Sequence, residues 1–193
     1  MQKLIIATHN KGKLKEFAKM FGGLYEICSL PYGGYNDEVE ETGETYYENA
    51  LLKAKAVYEN TGELALADDS GLSVTALNGE PGLYSARYGG EKTTQHEKHQ
   101  MIFDRLNGVE DRSAKFVCCL VLYGEKGVVA VGNGEVHGEI IFEERGDMGF
   151  GYDPIFFSAE LQKTFGEATD EEKNSVSHRA RAINDLLNKL KNG

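Results

Sequence analysis

Cysteine, proline and long apolar runs are all scarce in this sequence, and each shortage narrows its class. The three cysteines, Cys28, Cys118 and Cys119, are odd in number, lack CxxC spacing, and include two neighbours inside an apolar run. That pattern reads as buried thiols rather than as a metal or redox site. Only 3 prolines and no break in composition argue against a flexible linker, so residues 1–193 are expected to form one domain, with two lobes inside it still allowed. No segment approaches the ~20 apolar residues of a membrane span, and Leu4-Ile5-Ile6-Ala7 is far too short for a signal segment. The expectation is a soluble, cytoplasmic protein with no membrane partner.

Positive charge is also in deficit. Against 31 Asp and Glu stand 21 Lys and Arg, a net charge of -10 that disfavours a nucleic acid polymer as partner. The local distribution differs from the total. Lys3, Lys11, Lys13, Lys15 and Lys19 crowd the first twenty positions beside Glu16 alone, whereas Asp37, Glu38, Glu40, Glu41, Glu44 and Glu48 follow with no base among them. A small anion bound together with a cation suits both patches.

Hydrophobic periodicity predicts a mixed α/β chain. Lys3 to Ala7 reads as a strand, followed by a helix in which Leu14, Phe17, Ala18 and Phe21 share a face. A second helix fits Thr45 to Tyr58, with Tyr47, Ala50, Leu51, Ala54, Val57 and Tyr58 as its stripe, Asn49 and Lys53 on another face, and Gly62 near its end. Leu64 to Ala67 reads as a short strand ending at Asp68-Asp69-Ser70-Gly71, with a separate strand over Leu72 to Leu77. Gln95 to Leu106 looks helical. Ala114 to Tyr123 and Val128 to Val136 flank the hairpin signal Gly124-Glu125-Lys126-Gly127, and Ile140 and Ile141 are candidates to extend that sheet. Val176 to Leu190 predicts one terminal amphipathic helix after the polar stretch Glu171 to Ser175. The glycine-rich stretches 79 to 90 and 146 to 151 are candidate binding loops.

Several clusters could carry chemistry. Thr8-His9-Asn10-Lys11-Gly12-Lys13 lies between a strand and a helix, where free N–H groups and the positive dipole end attract phosphate. It is no Walker A loop, because Ala7 and Leu14 stand where Gly and Ser or Thr are needed; an ordinary capped helix start with solvated lysines is equally compatible. Two adjacent carboxylates, Asp68 and Asp69, are costly at a semi-buried edge without a cation or hydrogen bonds, and Glu41 with Asp69 would make a minimal magnesium site. An acidic turn is the bland alternative. Gly149-Phe150-Gly151-Tyr152-Asp153-Pro154 can present an aromatic to a planar base while Asp153 accepts from ring N–H groups, or can be a glycine turn with packed aromatics. Ser177 can cap the last helix, with His178 and Arg179 as donors to a carbonyl-bearing base or phosphate. Arg87 is a weaker candidate. His96, His99 and His137 lack a supporting cluster and read as surface residues. No Cys/His metal spacing, Ser-His-Asp signature or GxGxxG is present.

In order, Thr8 to Lys13, Glu41 to Ala50, Ala67 to Leu72, Gly149 to Pro154 and Ser177 to Arg179 resemble the inosine triphosphate pyrophosphatase (Ham1-like) family, over positions 8 to 181. The resemblance implies an α/β fold with a mixed central sheet flanked by helices, two lobes around a nucleotide-binding cleft, and a homodimer. It implies cleavage of noncanonical purine triphosphates, ITP, dITP and XTP, to the monophosphate and pyrophosphate, with Mg2+ as cofactor. A house-cleaning pyrophosphatase for modified pyrimidine triphosphates and a noncatalytic nucleotide or RNA-binding module are the alternatives. Carried over by position, Thr8, His9, Asn10, Lys11, Gly12 and Lys13 would line the triphosphate site, with Lys13 and Lys53 neutralising phosphate. Glu41 and Asp69 would hold the metal. Asp69 would take the water's proton with Asp68 beside it, and Ser70 would contact substrate. Phe150, Gly151, Tyr152, Asp153, Lys173, His178 and Arg179 would surround the base, with Arg87 as a lesser contact. Two departures touch none of these roles: Met148 stands before Gly149 where glycine is usual, and Gly166-Glu167-Ala168 replaces Ala-Glu-Met.

Overall fold

The computed structural model describes residues 1–192. Seven strands form a mixed sheet in the order β2-β1-β3-β4-β5-β6-β7. They are β1 Lys3–Ile6, β2 Glu26–Ser29, β3 Leu64–Val74, β4 Ser113–Gly124, β5 Gly127–Ile140, β6 Phe156–Ser158 and β7 Lys163–Thr164. The five α-helices are α1 Lys11–Phe21, α2 Tyr46–Thr61, α3 Gln95–Leu106, α4 Asp170–Val176 and α5 His178–Asn192. β1 pairs in parallel with β2 and β3, whereas β6 pairs antiparallel with β5 and β7. The expected α/β class with a mixed sheet flanked by helices is what the chain adopts.

By contact density the chain divides into two compact units. The first comprises residues 1–69 and 118–134 and the segment from Arg179 onward. Alternation along β1 organises it: Leu4 and Ile6 point to one core with Phe17 and Phe21 of α1 and Ile183 and Leu186 of α5, while Ile5 points to another with Ala50, Ala54 and Val57 of α2. The small residues of α2 let that helix lie close on the strands. Thr45 caps α2 with a full capping box to Glu48, and Gly62 ends it in the left-handed conformation at φ 69°. Ala18, expected on the buried face of α1, is exposed, as is Tyr47 on α2.

The second unit, residues 70–117 and 135–178, has its own core. Ile102, Phe103 and Leu106 of α3 pack with Leu72, Val74, Ile140 and a cluster of aromatic rings. Phe116 lies 4.6 Å from Phe156 between ring centroids, and Phe156 lies 5.1 Å from Phe165.

Three sequence expectations need correction. Leu64 to Leu77 is one continuous 11-residue strand followed by a 3-10 turn over Thr75–Leu77, so the acidic pair sits in mid-strand rather than at a strand end. The polar stretch Glu171 to Ser175 lies in a short helix of its own, α4, and the terminal helix starts at His178 rather than Val176, after Ser177, which is extended (φ -65°, ψ 156°) and closes α4. Cys118 and Cys119 are buried as expected, while Cys28 is only partly so.

Candidate active site

The turn from β1 into α1 is built by its own side chains. Asn10 caps α1, its Oδ1 accepting from the Lys13 N–H at 3.1 Å, and the Thr8 hydroxyl accepts from the Asn10 N–H at 3.1 Å. His9 meets the Asn36 side chain at 3.1 Å. Lys11 is exposed, and Gly12 and Lys13 are half-buried in the first turn. Asn10 therefore shapes the helix start, whereas Lys13 projects its amine to Asp68 at 2.9 Å.

Asp68 and Asp69 are neighbours on β3, so their side chains leave opposite faces of the strand. Both are buried, at 2% and 5% exposure. Their surroundings differ sharply. Asp68 is enclosed by cations: Lys13, and Arg179 Nη2 at 3.3 Å, with Arg179 also bonded through Nη1 to Glu16. Burial opposes ionisation of Asp68, but Lys13, Arg179 and Lys53 outweigh it and hold the carboxyl well below the usual carboxylate range. Asp69 instead accepts from Asn49 Nδ2 at 3.0 Å. Burial raises its carboxyl above the ordinary value, Lys53 and the Asn49 hydrogen bond only partly counter that, and the charge of Glu41 adds to the rise. One acid is thus kept ionised, and its neighbour is tuned toward proton acceptance.

Helix α2 ties the acidic loop to this pair. Asn49, wholly buried, accepts the Gly43 N–H at 2.8 Å through Oδ1 while its Nδ2 donates to Asp69. A Cβ at Gly43 would lie 2.6 Å from the Glu48 Cβ and 2.7 Å from Asn49 Oδ1, so only glycine allows that close approach. One turn on, Lys53 reaches Glu41 at 2.5 Å. Burial lowers the Lys53 amine's proton affinity, but Asp68, Glu41 and Asp69 together raise it above normal. Glu41 and Asp69 are the carboxylates here that offer hard oxygen donors to a cation. Among the described residues no group of three His, Cys, Asp or Glu side chains could form a closed metal cage. That donor set fits a cation which takes one or two carboxylates and completes its shell with water and phosphate oxygens.

The second unit holds the other expected group. Asp153 is 3% exposed, and its Oδ2 accepts from Lys173 Nζ at 2.7 Å and from the Phe150 N–H at 2.8 Å. The Lys173 amine also sits 4.6 Å from the Phe150 ring centroid. Gly149, at φ 73°, cannot carry a side chain, because its Cβ would collide with the Asp153 carboxylate. Tyr152 is anchored by donating its hydroxyl to the Ser85 carbonyl at 2.8 Å. His178 stacks on Phe116 at 4.8 Å with rings inclined by 15°. Ser70 is half-buried, and Arg87 is exposed, its guanidinium 5.1 Å from the Tyr84 ring centroid.

The structure therefore brings Lys13, Lys53, Glu41, Asp68 and Asp69 together in one unit, and Phe150, Asp153 and Lys173 together in the other. Arg179 bonds to Asp68 and Glu16 in the first group. Sequence reasoning missed Asn49, Glu16 and His99 as site-building residues. His99 is 2% exposed rather than on the surface, and bonds to Glu144 at 2.5 Å. For Asn49 a signal existed, because it shares a helix face with Lys53.

Comparison with known proteins follows the same lines. The model of the Ham1 family matches residues 4–189. The chain is 44% identical over 189 residues to a dITP/XTP pyrophosphatase of Bacillus subtilis, covering 96% of both chains. It is 47% identical to a protein of the same name from Synechocystis sp., covering 97% of this chain and 94% of the relative. Among solved structures, the Staphylococcus aureus Ham1 protein superposes with a TM-score of 0.88 at 40% identity, covering 99% of each chain. A HAM1 protein from Coxiella burnetii gives 0.87 at 39% identity over 100% of each chain.

Proposed function

The chain belongs to the Ham1 family, and on that premise we propose that it hydrolyses noncanonical purine nucleoside triphosphates, dITP, XTP and ITP, to the monophosphate and pyrophosphate. The observation that carries this reading is the unequal treatment of the acid pair, Asp68 locked among Lys13 and Arg179 and Asp69 left to Asn49 and Glu41. A triphosphate repels an anionic nucleophile, so the reaction needs cations to absorb charge and a base to orient water. Lys13 and Lys53 supply cationic charge, and Asp69 takes the proton as water oxygen attacks the α-phosphorus in line. The bond from that phosphorus to the α–β bridging oxygen breaks, and pyrophosphate leaves with the electron pair. Asp68 remains ionised throughout and holds Lys13 in place.

Glu41 and Asp69 would hold a magnesium ion, which when bound supplies charge neutralisation at the phosphate oxygens. The charge of Glu41 adds to the cost of ionising Asp69, and such a cation would relieve that cost. In the second unit, Phe150 offers a stacking face and Asp153, Lys173 and His178 offer polar partners for a purine. A base that leaves such groups unpaired is rejected strongly. Homodimer assembly and a cytoplasmic setting belong to the same reading and rest on the family resemblance. Light scattering on the purified protein is expected to give twice the 21.3 kDa chain mass.

The test is turnover of ITP, dITP, XTP, GTP, ATP and dUTP with and without magnesium, with identification of the phosphate product. Pyrophosphate released from the first three, and loss of turnover with chelator, supports the reading. Preferred cleavage of dUTP, release of orthophosphate, or binding without turnover sinks it.

A further inference from the structure

His99 has no part in the chemistry above, yet it is a polar ring buried in the core of the second unit at 2% exposure. Such a ring is tolerated only when both nitrogens are satisfied. Nδ1 lies 2.5 Å from Glu144 Oε1, and Nε2 lies 3.0 Å from the Gly151 carbonyl and 3.1 Å from the Gln95 amide. The ring also packs 5.7 Å from Tyr152 between centroids. The Glu144 carboxylate accepts from Nδ1–H, while at Nε2 the ring meets the Gly151 carbonyl as a donor or the Gln95 amide nitrogen as an acceptor.

The segment that His99 grips is also tied by the Met148 N–H to the Gly166 carbonyl, by the Asp153 N–H to the Phe150 carbonyl and by the Tyr152 hydroxyl to the Ser85 carbonyl. Gly149 and Gly151 have φ of 73° and 62°, a backbone path no strand or helix ladder supports. Asp153 holds the Phe150 N–H of this loop and the Lys173 amine of α4, and His99 meets the Gly151 carbonyl. Relying on the assignment of this loop to the purine, we propose that His99 is the positioning residue of the base site. Clamped by Glu144, its ring fixes the Gly151 carbonyl and thereby sets where Phe150 and Asp153 meet the base. The titratable groups facing the ring are Glu144, Tyr152, and His96 of the same helix, whose Nδ1 lies 2.9 Å from the same Glu144 oxygen.

The test compares wild type with His99→Gln, Glu144→Gln and His96→Gln. For His99→Gln the KM for ITP rises about tenfold, the scale of one charge-assisted hydrogen bond, while kcat stays within about twofold. His96→Gln, which leaves the His99 contacts in place, keeps the KM within about twofold of wild type. Amide hydrogen exchange over residues 149–153 accelerates in His99→Gln and Glu144→Gln, with α3 and the sheet unchanged. Unaltered exchange in that loop, or a fall in kcat at constant KM, overturns the proposal. Absence of ITP turnover by wild type instead refutes the substrate reading, and loop exchange then still decides the role of His99. If His99→Gln fails to fold, Glu144→Gln carries the same readings, because that side chain is 37% exposed.

Discussion

Replacing Asp69 separates chemistry from folding. Asp69→Asn keeps an oxygen that can accept the Asn49 amide, now at 3.0 Å, but removes the proposed base and a carboxylate of the proposed cation site. A general base contributes about 10² to 10⁴ in rate, and each factor of ten is about 1.36 kcal/mol, so kcat should fall by at least about 10², or roughly 2.7 kcal/mol of barrier. Stability moves the other way. Burial raises the folded-state carboxyl above its unfolded value, so the folded chain binds that proton more tightly. Stability is then higher below the unfolded value and is lost as pH rises through the folded one. At neutral pH an uncharged side chain removes that cost. Metal-free Asp69→Asn should melt no lower than wild type at pH 7. Asp69→Ala, in contrast, leaves the buried Asn49 amide without its acceptor, costing about 1 to 3 kcal/mol. For a chain of this size each kcal/mol is about 2 to 4 °C, hence a drop of about 2 to 12 °C. Steady-state ITP hydrolysis and calorimetry on the three proteins decide it. ITP turnover by Asp69→Asn above about a tenth of wild type, or a melting loss matching that of the alanine variant, refutes the reasoning.

Asp68→Asn should do the reverse and destabilise. It breaks a buried charge pair, a loss of about 3 kcal/mol after allowing for Glu16, which still pairs with Arg179. Because Asp68 titrates below its ordinary value, the stability gap measured in urea should persist at neutral pH. It should close as pH falls below about 4, where the unfolded carboxyl takes up its proton. Lys173→Met removes a partner of the buried Asp153 and should raise the KM for ITP more than it lowers kcat, read from initial rates. Burial pushes the Cys119 thiol up to about 11 and Cys118 higher still. Thiolate at pH 8 is then ~10⁻³ of Cys119, so a thiol reagent should titrate Cys28 first and the other two only on unfolding.

How much of this was legible depended on whether the relevant contact was local. Helix α3 was read to the residue over Gln95–Leu106, because the apolar spacing of Ile102, Phe103 and Leu106 lies within the segment itself. The β3 strand was cut in two because Asp-Asp-Ser-Gly has turn chemistry, and because Ala65 through Asp69 are buried without alternation, leaving no period-two signal. Tertiary cations reversed that local preference: Asp68 can stay in a buried strand because Lys13 and Arg179, 55 and 111 positions away, neutralise it. The site followed the same division. Lys13, Lys53 and the acid pair could be named from motifs, but which acid is locked and which can accept a proton could not, since Asn49, Glu16 and Arg179 decide it from other elements. Likewise His99 looked like a surface histidine beside His96, although Glu144 and Gly151, 45 and 52 residues on, draw it inside. Motifs therefore located the groups that would touch substrate, while long-range contacts assigned their protonation and orientation. By that division the groups proposed to meet the base, Phe150, Asp153 and His178, lie in motifs, whereas His99, proposed to position their loop, lies outside them and is drawn in by contacts far along the chain.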